Sequence, residues 1–320
     1  MDRIIEALSQ SRAVFLSTHE NPDGDAIGSL LALGLALETM GKAVTMFVGS
    51  PIPAVYRFLP AVERIVHRVE PPWRFDTAAV LDCSAFGRCG GAAALAGATP
   101  LLICLDHHLT NTGFGHLRWI DPAACATAEV VYRLIKAMGV TIDKAMATAI
   151  YTGILTDTGS FRFSNTNQAA FAICGEMVAL GVDPGQAARH VYGTYSLGRI
   201  RLLNRALDSI ELAGDGKISI MTLTRDMLAE TGTQAQDVEG LVNYARRIED
   251  VKLAALILED PDGHTDRYHV SLRADGEADV GAIATQFGGG GHPNAAGFSI
   301  DGGLAQVKAR LVGLADGLWG

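Results

Sequence analysis

Three short apolar segments, each followed closely by aspartate or histidine, limit the folds that this chain can adopt. They are residues 13–16, 77–81 and 101–105. Continuous apolar runs of this length, alternating with helical patterns, are typical of buried strands in a parallel sheet covered by helices on both faces. The carboxyl ends of such strands lie at one edge of the sheet, where α/β proteins bind their ligands. The sequence therefore predicts an α/β fold in which the polar strand ends converge.

The first polar strand end is a loop that contains His19, Asp23 and Asp25. It lies between strand 13–16 and an apolar helical segment at 26–40. Its asparagine, proline and glycine residues are typical of a tight turn. One imidazole and two carboxylates in a single turn suit a divalent metal such as Mn²⁺, Mg²⁺ or Fe²⁺. The alternative is an aspartate that caps the helix beside a surface histidine.

Further candidate ligands follow the other strands and the end of a predicted helix at 144–156. The complete set of candidate metal ligands is His19, Asp23, Asp25, Asp82, His107 and Asp157. Two imidazoles and four carboxylates are too many for one closed site, and they suit two ions that share a bridging carboxylate. Two ions about 3.5–4 Å apart can hold the attacking hydroxide and the leaving oxygen of a phosphoester.

Asp106 and His108 are the candidate catalytic residues beside these ligands. A histidine next to metal ligands can protonate a leaving group or hold a phosphate oxygen, and a neighbouring carboxylate can orient its ring. The sequence contains no glycine-rich dinucleotide motif, no P-loop and no GxSxG elbow. These absences disfavour the other common chemistries of α/β proteins.

The pattern changes after residue 217, where strand-like segments occur at 218–223, 251–258 and 268–272. They predict a smaller α+β domain. This domain contains four consecutive glycines directly before His292. Such glycines allow close backbone approach and can turn N–H groups towards an anion, so we expect an ordered loop rather than a flexible one. The predicted limits are 1–188 for the first domain, 189–213 for a helical linker and 214–320 for the second domain.

Composition and charge narrow the classes of function. A net charge of −9 argues against a protein that follows long nucleic acid by bulk electrostatics. The sequence has no signal-peptide pattern and no apolar run that approaches a membrane span, so we expect a cytoplasmic protein without a membrane partner. Its five cysteines form no CxxC pair. Buried free thiols are therefore expected, rather than disulfides or a zinc site.

Taken in order, these motifs resemble those of the DHH phosphoesterase superfamily, in its compact two-domain group of oligoribonucleases (nanoRNases) and 3′-phosphoadenosine-5′-phosphate (pAp) phosphatases. The matching segments span nearly the whole chain and are residues 18–26, 81–82, 106–108, 156–161 and 288–292. The resemblance implies an N-terminal DHH domain with a parallel sheet and a C-terminal DHH-associated domain. It also implies a two-metal centre that usually holds Mn²⁺.

The resemblance implies a role for each matched residue. One ion would be held by His19, Asp23 and Asp82. The other would be held by Asp25, Asp82, His107 and Asp157, so that Asp82 bridges the two. His108 would face the substrate phosphate.

Further candidates for substrate binding lie in the second domain. The glycine-rich loop would hold the substrate with Gly289, Gly290, Gly291 and His292. Arg246 and Arg273 lie where the family places basic residues and are candidates for phosphate contacts. Each could instead be a solvated surface arginine.

The residues and the resemblance together predict a two-metal enzyme that hydrolyses short RNA oligonucleotides to mononucleotides, pAp to AMP, or both. A glycine-rich pocket on an acidic domain suits a substrate held at its end, whereas a long strand needs a long basic groove. The resemblance also allows a homodimer. Two alternatives stay open: a phosphodiesterase for cyclic or linear dinucleotides and, in another class, a non-catalytic nucleotide-binding protein, whose mark would be lost metal ligands.

Overall fold

The computed structural model describes residues 1–193, 195–274 and 278–316. The chain folds into two compact units, Met1–Thr194 and Tyr195–Gly320. Each unit has an apolar core of its own. The limits expected from the sequence, with a separate linker at 189–213, stay a prediction. Among the described residues, no helix combines the length and the apolar character that a membrane crossing requires.

The first unit contains a five-stranded sheet and seven α-helices among its described residues. Its strands are β1 (Ala13–Ser17), β2 (Ala43–Phe47), β3 (Thr77–Leu81), β4 (Leu101–Asp106) and β5 (Leu117–Ile120). Its helices are α1 (Asp2–Gln10), α2 (Gly24–Thr39), α3 (Ala92–Gly97), α4 (Thr127–Ala137), α5 (Lys144–Asp157), α6 (Gln168–Ala179) and α7 (Pro184–Ala188). The predicted α/β class is confirmed. Strand β5 was not expected, because only four partly exposed residues form it and they give no continuous apolar run.

The strand order of the first unit determines where a crevice opens. The order is β2-β1-β3-β4-β5, and every neighbouring pair is parallel. The chain therefore leaves β1 in one direction to form β2 and returns to form β3 on the other side. In parallel sheets with this order, the reversal between β1 and β3 leaves a crevice at the carboxyl ends of the two strands.

Helix α2 lies in the centre of the larger core and is buried along nearly its whole length. It is apolar on every side, as expected of a helix that is covered all round. It packs so closely against α5 that a Cβ on Gly28 would collide with the main-chain oxygen of Ala149. The opposite face of the sheet is covered by a smaller cluster that includes Phe15 and residues of α3.

The second unit is built on a mixed six-stranded sheet. Its strands are β6 (Glu211–Ala213), β7 (Ile218–Leu223), β8 (Leu253–Glu259), β9 (Arg267–Ala274), β10 (Gly290–His292) and β11 (Ala295–Asp301), in the order β10-β11-β9-β8-β7-β6. Its helices are α8 (Leu197–Asp208), α9 (Arg225–Thr231), α10 (Val242–Arg246), α11 (Val280–Thr285) and α12 (Leu304–Asp316). This arrangement confirms the smaller α+β domain. The segment expected as a helical linker, 189–213, ends in a strand, because residues from Glu211 onward pair with β7.

Candidate metal centre

The structure brings the predicted ligands of the first unit together at the carboxyl edge of its sheet. The loop with His19, Asp23 and Asp25 joins β1 to α2, while Asp82 directly follows β3. Asp106 ends β4, with His107 and His108 next, and Asp157 is the last residue of α5. The convergence follows from the parallel order of β1, β3 and β4, which places three strand ends side by side.

The β1–α2 loop combines features that the sequence presented as alternatives. Asp23 is the N-cap of α2, because its Oδ1 accepts the main-chain N–H groups of Asp25 at 3.1 Å and Ala26 at 3.0 Å. His19, however, is only 6% exposed, so the alternative of a surface histidine does not hold. The cap occupies one carboxylate oxygen, so an aspartate in this position can serve a helix and a cation together.

Hydrogen bonds to main-chain carbonyls determine which ring nitrogen of His19 and His107 carries the proton. Nδ1 of His19 lies 2.8 Å from the oxygen of Glu20, and Nδ1 of His107 lies 3.2 Å from the oxygen of Ala124. A carbonyl oxygen only accepts, so each Nδ1 is the donor and the lone pair is on Nε2. This is the tautomer of a metal-binding histidine whose other nitrogen is held by the protein.

Asp82 lies at the centre of the cluster. Its Oδ2 is 3.8 Å from Nε2 of His19, and its Oδ1 is 3.8 Å from Nε2 of His107. Its Oδ1 also accepts a hydrogen bond of 2.9 Å from the hydroxyl of Thr127. Burial and the charge of Asp23 raise its pKa, although the neighbouring histidines oppose the rise. The two oxygens of this carboxylate thus face different histidines.

Asp25 accepts hydrogen bonds at the start of a different helix. Its Oδ2 accepts the N–H of Thr127 at 2.6 Å, and its Oδ1 accepts the N–H of Ala128 at 2.8 Å. The N-cap residue of α4, Ala126, has no side-chain cap of its own, so Asp25 supplies the cap from α2. Burial and the charges of Asp82 and Asp157 raise the pKa of Asp25 well above its usual range.

Asp106 and His108 form a buried, hydrogen-bonded pair. Nδ1 of His108 donates to Oδ1 of Asp106 at 2.7 Å, and Nδ2 of Asn111 donates to Oδ2 of Asp106 at 2.5 Å. Burial lowers the pKa of His108, but the hydrogen bond to Asp106 and the charge of Asp82 outweigh it and raise the pKa to about 9. Burial likewise raises the pKa of Asp106, but the bonds from His108 and Asn111 hold it below its usual value. His108 is therefore an imidazolium at neutral pH in this setting.

Asp157 reaches the cluster from the end of α5. Its Oδ2 lies 3.4 Å from Nε2 of His107 and accepts a hydrogen bond of 3.0 Å from Nδ2 of Asn165. Burial raises the pKa of Asp157 to about 6, against the opposing charge of His107. Asn165 also donates to the main-chain oxygen of Cys125, so it ties Asp157 to the segment before α4.

The donor set fits divalent cations. Ligand atoms lie within 4.8 Å of one another in each of three groups: His19, Asp23 and Asp82; Asp25, Asp82 and His107; and Asp82, Asp106 and His108. Nitrogen–oxygen separations of 3.4–3.8 Å are too long for hydrogen bonds and match the spacing of neighbouring ligands around one ion. Buried carboxylates with raised pKa values repel one another, and a cation relieves that repulsion. The cluster can therefore hold a metal ion.

Four residues of this site were not found from the sequence: Ser29, Thr127, Asn111 and Asn165, of which Ser29 donates its hydroxyl to Oδ1 of Asp25 at 3.2 Å. Each donates to a carboxylate of the cluster. Asn111 follows the His107–His108 pair closely enough to have been suspected. Thr127 and Asn165 lie in segments with no motif, and only the folded chain brings them to the cluster.

In the second unit, the structure places two of the predicted substrate-binding residues, Arg273 and His292, on one face of the sheet. His292 pairs with Ala295, and Ala295 pairs with Arg273, so these residues form a row across three strands. Arg273 in turn pairs with Ala254, which packs in the same cluster as the α10 residues next to Arg246. Residues directly opposite in neighbouring strands share a face. Arg273 and His292 therefore lie on the face of the sheet against which α10 packs, and Arg246 is the last residue of that helix.

The glycines before His292 serve the sheet itself. A Cβ on Gly289 would collide with the main-chain oxygen of Gly297, and one on Gly291 would collide with that of Ala295. Gly291 also has a φ of 145°. The segment is ordered, as expected, but Gly290–His292 is an edge strand rather than a loop. The close approach that these glycines permit is made by β11.

The family of the chain follows from comparison with known proteins. Residues 13–154 match the DHH family, N-terminal domain, and residues 216–317 match the DHHA1 domain. The bifunctional oligoribonuclease and PAP phosphatase NrnA of Thermus thermophilus is 34% identical over 300 residues, which cover 93% of this chain and 88% of that protein. The chain belongs to the DHH family.

Two further DHH-family comparisons extend over almost the full length. The Bacillus subtilis protein of the same name is 28% identical over 303 residues, covering 93% of this chain and 92% of that one. The crystal structure of an exopolyphosphatase-related protein from Bacteroides fragilis superposes with a TM-score of 0.87 at 29% identity, covering 98% and 95% of the two chains. The predicted family, fold and enzyme class, a hydrolytic phosphoesterase, are thereby confirmed.

Proposed function

We propose that this DHH-family enzyme hydrolyses short oligoribonucleotides to mononucleotides and pAp to AMP at the cluster centred on Asp82. The observation that carries the proposal is the buried cluster itself, in which every ligand expected from the family motifs is present and adjacent. Lost ligands, the mark of a non-catalytic relative, do not occur among these positions. The relatives that match over most of their length are named for both activities.

We assign two divalent ions, with Mn²⁺ as the preferred metal, to the cluster. His19, Asp23 and Asp82 would hold one ion, and the second would be held by Asp25, Asp82, His107 and Asp157. When bound, such a pair supplies an activated water at neutral pH and neutralises phosphoryl charge. Asp82 suits the bridging role because its two oxygens face different histidines, His19 and His107.

His108 acts on the phosphate as the residue that Asp106 orients. With a pKa of about 9, it is protonated at neutral pH and can donate a hydrogen bond or a proton to a phosphate oxygen. Asp106 fixes the ring, because Nδ1–H is committed to its Oδ1 and the other oxygen is held by Asn111. Removing Asp106 should therefore affect turnover through His108.

Short substrates fit the charge distribution of the chain better than long ones. The net charge is −9, and a protein that follows a long strand needs an extended basic groove. In the second unit we assign phosphate or end recognition to Arg246, Arg273 and His292, with Gly289, Gly290 and Gly291 shaping the edge strand. These residues give a few localised contacts, which suit an oligonucleotide of about two to five residues or a nucleoside bisphosphate. A cytoplasmic location and a homodimer stay predictions.

The proposal is tested by the product profile on end-labelled RNA of graded length, from dinucleotide to 24-mer, and on pAp, each with Mn²⁺. The wild type should convert dinucleotides and pAp quickly and the 24-mer slowly. The matched variant is Asp82→Asn, which keeps the side-chain shape. It should lose more than about a hundredfold in turnover, since even partners of metal ligands are worth 10–100-fold.

Three outcomes contradict the proposal. A wild type that releases neither mononucleotide nor phosphate is not this enzyme. Equal rates on the dimer and the 24-mer remove the short-substrate assignment. Faster turnover of a cyclic dinucleotide than of linear RNA or pAp would favour the cyclic-dinucleotide alternative instead.

A further inference from the structure

Thr127, the first residue of α4, donates hydrogen bonds to two carboxylates of the cluster. Its main-chain N–H binds Oδ2 of Asp25 at 2.6 Å, and its hydroxyl binds Oδ1 of Asp82 at 2.9 Å. Its side chain is fully buried. Thr127 thus links the start of α4 to two carboxylates: Asp82, which lies between two histidines, and Asp25, which caps the helix.

Thr127 is the first residue of α4, so its hydroxyl has no preceding turn of the helix to bond to. On α5 the hydroxyls of Thr148, Thr152 and Thr156 each bond to the main-chain oxygen four residues earlier, the ordinary arrangement inside a helix. At Thr127 the hydroxyl instead bonds across 45 residues of sequence to Asp82. The bond therefore adds nothing to α4 itself and acts on the carboxylate.

The orientation of Asp82 matters because its oxygens are not equivalent. Oδ2 faces His19 and Oδ1 faces His107, each at 3.8 Å. The χ2 torsion of aspartate is broad, so an unconstrained carboxylate turns easily. A hydroxyl that donates to Oδ1 removes this freedom and keeps one oxygen on each side.

We propose that Thr127 is a positioning residue that fixes the orientation of Asp82 and so enables the cluster to bind two divalent ions. The hydroxyl leaves one lone pair of Oδ1 for a cation near Asp25 and His107. It also holds Oδ2 towards His19 and Asp23. This inference rests on the proposed function only in taking the cluster as a metal centre.

The test is a titration of the metal-free protein with Mn²⁺, in which free Mn²⁺ is followed by its EPR signal. Thr127→Val removes the hydroxyl but keeps the branched shape and the N–H bond to Asp25. We expect one of the two Mn²⁺ affinities to fall about 10–100-fold, the usual effect of losing a partner of a metal ligand, while the other stays near its wild-type value. Thr127→Ser, which restores the hydroxyl, should restore both affinities.

The matched control is Thr152→Val, which removes another fully buried hydroxyl. Among the described residues, the Thr152 hydroxyl donates only to the main-chain oxygen of Thr148. It should bind both ions as the wild type does. Unchanged affinities in Thr127→Val, or an equal loss in Thr152→Val, overturn the inference. If Thr127→Val does not fold, Thr127→Ala takes its place. Thr127→Ala must then show the loss of Mn²⁺ affinity, and Thr127→Ser must not.

The same titration separates this inference from the proposed function. A wild type that binds no Mn²⁺ removes the metal centre and with it the proposed activity. If the wild type and Thr127→Val both bind two ions with equal affinity, only the role proposed for Thr127 is contradicted.

Discussion

The backbone of Asp82 lies in the left-handed region, with a φ of 52°. Aspartate and asparagine visit this region more readily than other residues, yet such a conformation still carries strain and persists only when surrounding contacts require it. Here Asp82 N–H donates to the main-chain oxygen of Leu105, and the side chain is held by Thr127. This strained backbone conformation directs the carboxylate of Asp82 towards the crevice. Asn is the suitable replacement, because it also adopts the left-handed region readily.

Single carboxylates of the cluster serve two purposes, which limited what the sequence could predict. The six ligands could be found because each follows a strand or ends a helix at one edge of the sheet. Helix capping by Asp23 appeared there as an alternative to metal binding, whereas the geometry accommodates both. The cap that Asp25 supplies to α4 joins residues about 100 positions apart, and no local pattern encodes such a contact.

The pair of Asp106 and His108 gives a prediction about pH at the residue scale. In the metal-free protein the pKa of His108 is raised to about 9. Cations held by Asp82 and Asp157 would offset two of the charges that raise it, so the activity of the metal-bound enzyme should decline on the alkaline side at or below that value. In Asp106→Asn the bond from Nδ1 remains but the negative charge is lost, so the pKa of His108 falls. The alkaline limb of log(kcat/KM) against pH should then move to lower pH by about one unit or more.

The acidic limb of the same profile is the internal control for Asp106→Asn, because it reflects groups other than His108. It should stay in place in the variant. An alkaline limb that does not move, or that moves together with the acidic limb, contradicts the role assigned to His108.

At the scale of elements, the contact between α2 and α5 sets the geometry of the site. Gly28 of α2 lies against the main chain of Ala149, and a Cβ on Gly153 of α5 would lie 2.9 Å from Oδ1 of Asp25. Asp25 is one turn before Gly28, and Asp157 is one turn after Gly153. The glycines let two helices approach closely enough for their ends to deliver carboxylates to one cluster.

Gly28→Ala should therefore destabilise the first unit although alanine is the better helix former. The added methyl group has main chain as its neighbour, so α2 must move away from α5, at a cost of about 1–3 kcal/mol. Gly175→Ala on α6 is the matched control, since a Cβ there meets nothing within 4 Å. It should be neutral or stabilise by up to about 1 kcal/mol. Urea unfolding in EDTA measures both, and equal midpoints for the two variants would exclude close packing as the reason for Gly28.

Strands with strong apolar runs were predictable, and weak or edge strands were not. The prediction for β3 matches Thr77–Leu81, and those for β1 and β4 differ from the structure by one residue. The missed strands β5, β6 and β10 are three or four residues long, partly exposed, and defined by the neighbour with which they pair. Strand β11, seven residues long and inside the sheet, was missed as well, because its first residues were expected to belong to a loop. In β10 two of the three residues are glycine, which has low strand propensity. Pairing with β11 overrides that propensity, and a sequence pattern does not reveal such a partner.

At the scale of the whole molecule, the buried cluster should make the metal-free protein less stable as pH rises. Asp25, Asp82 and Asp157 have raised pKa values in the folded protein, and that of Asp157 is about 6. Each of these groups stabilises the fold when it is protonated. That stabilisation is lost as pH rises above 3.8, the pKa of the same group in the unfolded chain. His108 contributes stability below 6.5 that is lost as pH rises through about 9. Lowered carboxyl groups such as Asp106 act only below pH 3.8. Between pH 5 and 9 the contributions of the four groups with raised pKa values therefore decline, and those of the lowered carboxyl groups stay constant.

Calorimetry of the protein in EDTA should show a melting temperature for the first unit that falls between about pH 5 and pH 9. Saturating Mn²⁺ should raise the melting temperature far more at pH 8 than at pH 5, because a cation binds the deprotonated cluster. At a Mn²⁺ concentration of 100 times the Kd, one bound ion adds about 2.7 kcal/mol to the free energy of unfolding, which corresponds to several degrees. In Asp82→Asn one buried carboxylate is absent, so the melting temperature in EDTA at pH 8 should rise while the Mn²⁺ shift shrinks. A metal-free wild type that is most stable at pH 8 to 9 would show that the carboxylates are not held as a buried, mutually repelling group.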